Sequence, residues 1–350
     1  SDVYKRQILD RADPDGLVAA SGLRSLRYVF EIFSAAGDFT EDGETLKGAS
    51  ALAQAALRTA HHKSPHVREA LCEAASAIVS DDILLEMAPP KNERPEDRRR
   101  SSSAALLHAE AVVNAQLTSG LQILRNLKES IDTAPDSFIK ESTLRTFAAV
   151  AETLTIPGAT SAAVIVYFKN IIDMDLTAQN CAIYLLRRLA KKRQVRTREL
   201  LFGVQDVAAQ IGTLLPLHEH SIATLAELAK MSPRQLLEEI LPLSMMRLIR
   251  TAIGAGSEKQ EDLSILQAYA HLLNKDLHQL VADYSYEAIA ELINPRTLKP
   301  LSEQESNAFK SFLQKYSKDD LLTLISNQKF YIMKALITRA GAAMKDEQED

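Results

Sequence analysis

The chain has 350 residues, 41 Lys and Arg against 46 Asp and Glu, and a formal charge of −5. Hydrophobic residues make up 46% and charged residues 25%, which excludes a largely disordered chain, and the slight negative charge excludes a global pull toward nucleic acid. Scarce glycine (12) and proline (12), 5% aromatics and no tryptophan favour helix over strand.

Residues 1–7 resemble a translated sequencing-adapter segment. They are set aside from the fold, and the natural chain is expected to begin upstream. Residues 8–87 read as an N-terminal helical segment. It starts with a helix over 16–36 that carries Leu23, Leu26, Val29, Phe30 and Phe33 at three- and four-residue spacings. An Ala/Leu helix follows over 45–60. Ser64 and Pro65 read as an N-cap with proline at the first helical position, opening a helix that runs to about Met87.

Residues 88–103 break the pattern with Pro89, Pro90 and Pro95, a run of charges and three serines, so a flexible linker is expected there. Residues 104–344 read as the main helical domain. Its first helix covers 104–132, and further helices cover 136–155, 158–174, 176–194, 196–215, 219–230, 232–253, 260–273 and 275–293. The last three cover 302–315, 317–327 and 328–344. Val164, Ile165, Val166, Tyr167 and Phe168 are strand-like in composition but sit between helical flanks, and are assigned to a buried helix. Capping boxes are read at Ser232 to Gln235 and at Ser302 to Glu305. The polar tail 345–350 is expected to be disordered.

The fold class is therefore all-α, either a helical-repeat solenoid or two helical bundles joined by the linker. Residues 64–78 carry Pro65, Val67, Arg68, Ala70, Ala74 and Ile78 at the spacing of a HEAT unit, and 141–154 and 177–189 echo its small and aliphatic part. The stretch resembles the HEAT and armadillo superfamily of α-helical repeats. That resemblance implies a non-catalytic scaffold or adaptor that presents an extended surface to a protein partner.

No zinc-protease, phosphate-loop, serine-hydrolase or EF-hand motif occurs, so no catalytic residue, cofactor or metal is expected, and the chain is read as not an enzyme. An enzyme with a site assembled from scattered residues is the third alternative. His61, His62 and His66 near Cys72 are read as a solvated helix end, and His218 to His220 as surface loop. Cys72 and Cys181 are read as buried free thiols. With no membrane span and no N-terminal h-region, the expected place is intracellular, in cytoplasm or nucleus.

The sharpest local feature is Arg187, Arg188, Lys191, Lys192, Arg193, Arg196 and Arg198, seven cations in residues 187–198 with no acid among them. Two readings stand: a solvated helix end, or an anion and partner site. The second includes an alternative function as a nucleic-acid-associated factor contacting phosphates. The patch is read as having no nearby aromatic for base stacking, which weakens a single-stranded nucleic-acid reading. Arg98 to Arg100 before Ser101, Ser102 and Ser103 suits a basophilic kinase, or else those serines cap the next helix unmodified. Residues 221–240 resemble a helix-turn-helix, but Glu238 and Glu239 on its second helix would repel phosphate, so they are read as an ordinary helical hairpin.

Overall fold

The computed structural model describes residues 16–36, 43–88, 104–254, 259–276 and 280. Among them every regular element is a helix, and none is long and apolar enough to cross a membrane. The helices expected beyond residue 276, the capping box at Ser302, the tail 345–350, the serines 101–103 and nearly all of the linker 88–103 lie outside the described residues. The chain divides into two compact units, residues 1–196 and 197–350.

In the first unit the elements run α1 (Leu17–Ala36), α2 (Gly43–Leu57), a 3-10 turn (Arg58–His61), α3 (Pro65–Ile78), α4 (Asp81–Met87), α5 (Ala104–Ala115), a π turn (Gln116–Gly120), α6 (Leu121–Asp132), α7 (Ser137–Thr153), α8 (Pro157–Ile171) and α9 (Leu176–Arg193). Helices α4 and α5, which flank the expected linker, pack on each other. Asp136 caps α7 by accepting from the Ile139 N–H at 2.8 Å, and Asp175 caps α9 by accepting from Thr177 at 3.0 Å and Ala178 at 3.1 Å.

Helices α1, α3, α7 and α9 lie side by side in that order, and their cross-links advance together along each pair. Gly16, at φ +69°, sits against Ser64 and Val67, and Arg24 reaches Glu73 at 3.0 Å. Arg68 reaches Ser142 at 2.8 Å, Lys140 pairs with Asp173, and Arg188 pairs with Glu152 at 2.6 Å. Early residues meet early residues at each step, so the four helices are parallel. Helices α6 and α8 also pack on α7, where Phe147 and Tyr167 meet edge to face at 6.4 Å between ring centres.

Two expectations for this unit are corrected. The helix expected over 64–87 is two helices. The chain turns extended at Ser80, whose carbonyl accepts from Leu84 N–H at 3.0 Å, and a new helix starts at Asp81. The helix expected over 104–132 is interrupted by the π turn. Buried Gln116 explains the interruption: its amide donates to Asp81 at 2.9 Å and its carbonyl oxygen accepts from the Thr155 N–H at 3.0 Å and hydroxyl at 3.1 Å. The wider turn brings the whole amide inward to meet both partners.

In the second unit the elements are α10 (Thr197–Phe202), α11 (Gln205–Leu214), a 3-10 turn (Leu215–Leu217), α12 (Glu219–Ala229), α13 (Pro233–Gly254) and α14 (Lys259–Leu273). The helix expected over 196–215 is thus broken as well. The Gly203 N–H bonds Glu199 O at 2.8 Å, and a Cβ there would lie 2.4 Å from the same oxygen, so only glycine makes this fold-back. The Ser232 capping box forms as expected, with Gln235 N–H donating to Ser232 Oγ at 3.2 Å and Ser232 N–H donating to Gln235 Oε1 at 3.0 Å. Residues 218–220 are not all loop, since Glu219 and His220 begin α12. Buried Tyr269 donates to Gly212 O at 2.7 Å beside Ser244 Oγ at 3.3 Å, tying α14 to α11 and α13.

The glycines at either extreme of packing give a direct test. A Cβ at Gly212 would sit 1.7 Å from Ser244 Oγ, so Gly212→Ala is expected to lower stability by about 1–3 kcal/mol. Gly158 has its nearest neighbour, Leu121, at 3.9 Å, so Gly158→Ala is expected to raise stability by about 0.4–1 kcal/mol. Urea unfolding midpoints of the two variants measure both.

Candidate partner-binding surface

Helix α9 is amphipathic. It buries Ala178, Cys181, Ala182, Leu185, Leu186, Leu189 and Ala190 against its neighbours. The opposite stripe holds Leu176, Asn180, Tyr184, Arg187 and Lys191, all exposed, at spacings of four, four, three and four. Its N-terminal end is apolar: Leu176 is 70% exposed, with Met174 at 79% and, from the start of α7, Phe138 at 72%. Tyr184, at 60%, stands between the apolar end and the two cations.

The seven cations of 187–198 meet different fates. Arg188 and Lys192 both turn to Glu152, a largely buried carboxylate of α7, at 2.6 Å and 3.5 Å. Arg193 donates to Leu154 O at 3.0 Å. Arg196 is exposed and has a partner of its own. Arg198, in the second unit, holds Glu239 through two bonds at 3.1 Å and 2.7 Å. Arg187 and Lys191, one turn apart, make no hydrogen bond or ion pair among the described residues. The outward field of the run therefore centres on two charges.

Tyr184 is the residue that reading the run alone missed. It lies three residues before Arg187 and seven before Lys191, which is one helical face, so the basic stripe does have an aromatic beside it. Glu152 and Glu239 were out of reach of local reading, because each comes from about forty residues away in sequence. Glu239 and Glu238, which made the 221–240 hairpin a poor DNA reader, are paired with Arg198 and Arg234.

The histidines near residue 62 serve local structure. His61 Nε2 meets Ser130 O at 2.5 Å, and His62 Nδ1 accepts from the Ser64 N–H at 3.1 Å. Among the described residues no group of three or more His, Cys, Asp or Glu is placed to hold a metal ion. Both cysteines are free thiols. Burial pushes Cys181 up to about 11, and raises Cys72 as well, so neither is poised as a nucleophile.

No protein-family model, curated protein or solved structure matches the chain.

Two electrostatic contacts that fix α9 on α7 can be tested. Glu152→Gln leaves Arg188 and Lys192 without their counter-charge and is expected to cost about 1–3 kcal/mol, read from thermal unfolding at neutral pH. At the other end, the hydrogen bond from Lys140 holds the Asp173 carboxyl below its usual range. A carboxyl depressed on folding adds stability above its unfolded value of about 3.9, and that stability is lost as pH falls through the folded value. The Lys140→Met variant is therefore expected to lose less stability than the wild type between pH 5 and the acid limit, so the two acid-unfolding curves converge at low pH.

Proposed function

We propose that the chain is a non-catalytic helical scaffold or adaptor, stacked in the manner of HEAT and armadillo repeats, that docks a protein partner along the outer stripe of α9. The parallel layer of α1, α3, α7 and α9 supports the stacking. So does the burial of Val67, Arg68, Ala70, Ala74 and Ile78, five of the six positions at which residues 64–78 resemble a HEAT unit, the sixth being exposed Pro65. The observation that carries the docking site is the stripe itself, where Leu176, Tyr184, Arg187 and Lys191 stand exposed in line.

Exposed aliphatic and aromatic side chains clustered at one end of a helix face are the usual mark of a contact surface. Two cations at the other end call for acidic groups. A partner helix with acids in its first turn and apolar residues beyond it matches this order when it lies antiparallel to α9, because acids also favour a helix N-terminus. The stripe spans sixteen residues from Leu176 to Lys191, which is about 22 Å at 1.5 Å per residue step. Two free thiols suit a reducing intracellular compartment.

The nucleic-acid reading keeps one observation in its favour, since exposed Tyr184 next to Arg187 offers a base a stacking face. It is the weaker reading, because two free cations give a salt slope of only about −2 and Asp173 and Asp175 border the apolar end.

The test compares the wild-type chain with Arg187→Glu/Lys191→Glu and with Leu176→Ser/Tyr184→Ala, all at exposed positions. Each is titrated with a labelled fifteen-residue helical peptide bearing three acids in its first turn and leucines on one face, and with a 20-nucleotide RNA. Peptide binding that falls tenfold or more in both variants is the expected result. RNA binding lost in the charge-reversed variant and weakened in the Leu176→Ser/Tyr184→Ala variant, with no peptide binding, would replace the scaffold reading by the nucleic-acid one.

A further inference from the structure

The first unit also holds a cleft of about 540 Å³ between the end of α2, Met87, the π turn and α6. That volume is the size of a small-ligand site. The geometry points to a binding site for the free C-terminus of a peptide that ends in an aliphatic residue. This inference is independent of the α9 stripe.

Charge comes first. Among the described residues Arg58 is the one charged side chain that lines the cleft, and no carboxylate lines it. Arg58 is exposed and makes no ion pair or hydrogen bond among the described residues. A lone guanidinium of this kind selects a single carboxylate, for which it offers a two-pronged set of donors. A phosphate would call for more than one cation.

Amides come second. Gln122 and Asn126 sit one turn apart on α6, and Gln122 Nε2 donates to Asn126 Oδ1 at 2.9 Å. Gln122 Oε1 also accepts from Arg125 at 3.4 Å, which leaves it one acceptor lone pair, and Asn126 keeps a free amide donor beside it. A group with both an N–H and a C=O, such as a peptide unit, satisfies the pair. An alkyl carboxylate, which accepts but cannot donate, does not.

The floor comes third. Leu57, Ile123 and Leu127 supply an apolar base, with Ile123 and Leu127 buried. An aliphatic terminal side chain covers it.

The π turn supplies the wall. Gln116 anchors it from beneath through Asp81 and Thr155, and Gly120 lets it close on Leu154, where an added Cβ would lie 3.0 Å from a methyl carbon. A helix that departs from regular bonding beside a cleft, and is held there by a buried amide, fits the common placing of π turns at functional sites.

The experiment is fluorescence polarisation with the full chain and a dye-labelled hexapeptide ending in Ala-Ala-Leu with a free carboxylate. The same peptide with a C-terminal amide, the same peptide ending in Asp, and decanoate as competitor form the other arms. The free-acid Leu peptide is expected to bind at least tenfold tighter than its amide and its Asp counterpart. Decanoate is expected to compete at least tenfold less well than the unlabelled peptide. Arg58→Gln is expected to erase the difference between acid and amide, and Asn126→Leu to weaken both. Arg187→Glu/Lys191→Glu is expected to leave peptide binding unchanged. The amide and Asp peptides test the site without any substitution, so a variant that fails to fold does not spoil the result. Equal affinity for acid and amide, competition by decanoate as strong as by peptide, or no peptide binding at all overturns the proposal.

Discussion

Arg68 carries a full positive charge into the interior of the first unit, and the way it is satisfied fixes the register of the helix layer. Its Nη1 donates to His62 O at 2.7 Å and Lys63 O at 2.8 Å, and its Nε donates to Ser142 Oγ at 2.8 Å. Ser142 Oγ in turn donates to Phe138 O at 2.7 Å. A buried charge that loses its partners costs several kcal/mol, so α3 cannot slide along α7 by one turn without a penalty comparable to much of a domain's stability. The same residue closes the turn before α3, because the two carbonyls it binds belong to residues just ahead of that helix. One side chain therefore sets both where α3 begins and where α7 lies against it.

Register then passes outward. With α7 placed, Lys140 meets Asp173 at the start of α9 and Glu152 meets Arg188 and Lys192 near its end. These contacts fix the rotation of α9 about its own axis, and rotation decides which residues face out. Most of the energy comes from apolar burial along α7, including Leu144, Phe147, Ala148 and Val150, which is not directional. The polar contacts add direction to it.

The all-helical class was legible in the sequence because it needs only periodicity and composition, and those are local. So was the capped start at Ser232. Helix ends were harder, for a stated reason. Gln194, Lys230 and Asn274 all take the left-handed conformation at φ 55°, 57° and 52°, a place where glycine is the usual signal. At each, the two N–H groups after the helix fold back on its last turn, as Val195 does on Ala190 O at 3.1 Å. The π turn was illegible because its cause, Gln116, is satisfied by Asp81 and Thr155, which stand 35 and 39 residues away. The candidate stripe was half legible. The charges could be counted, but not which of them the fold would use.

That last point is a matter of one residue's rotation. Successive residues on a helix are about 100° apart, so Arg187 and Lys191 point along one face while Arg188 and Lys192 point along the next. The second pair faces Glu152 and is spent on holding α9 to α7. The first pair, offset by a single position, clears the neighbouring helix and stays in solvent beside Tyr184. Each dipeptide thus sends one cation to hold α9 on α7 and leaves the other exposed, and a run that reads as one basic block is divided by the helix it belongs to. Because both uses hang on the same rotation, any change that turned α9 on α7 would expose the pair that binds Glu152 and bury the pair that faces out. The contacts that stabilise the layer are in this sense also what aims the stripe.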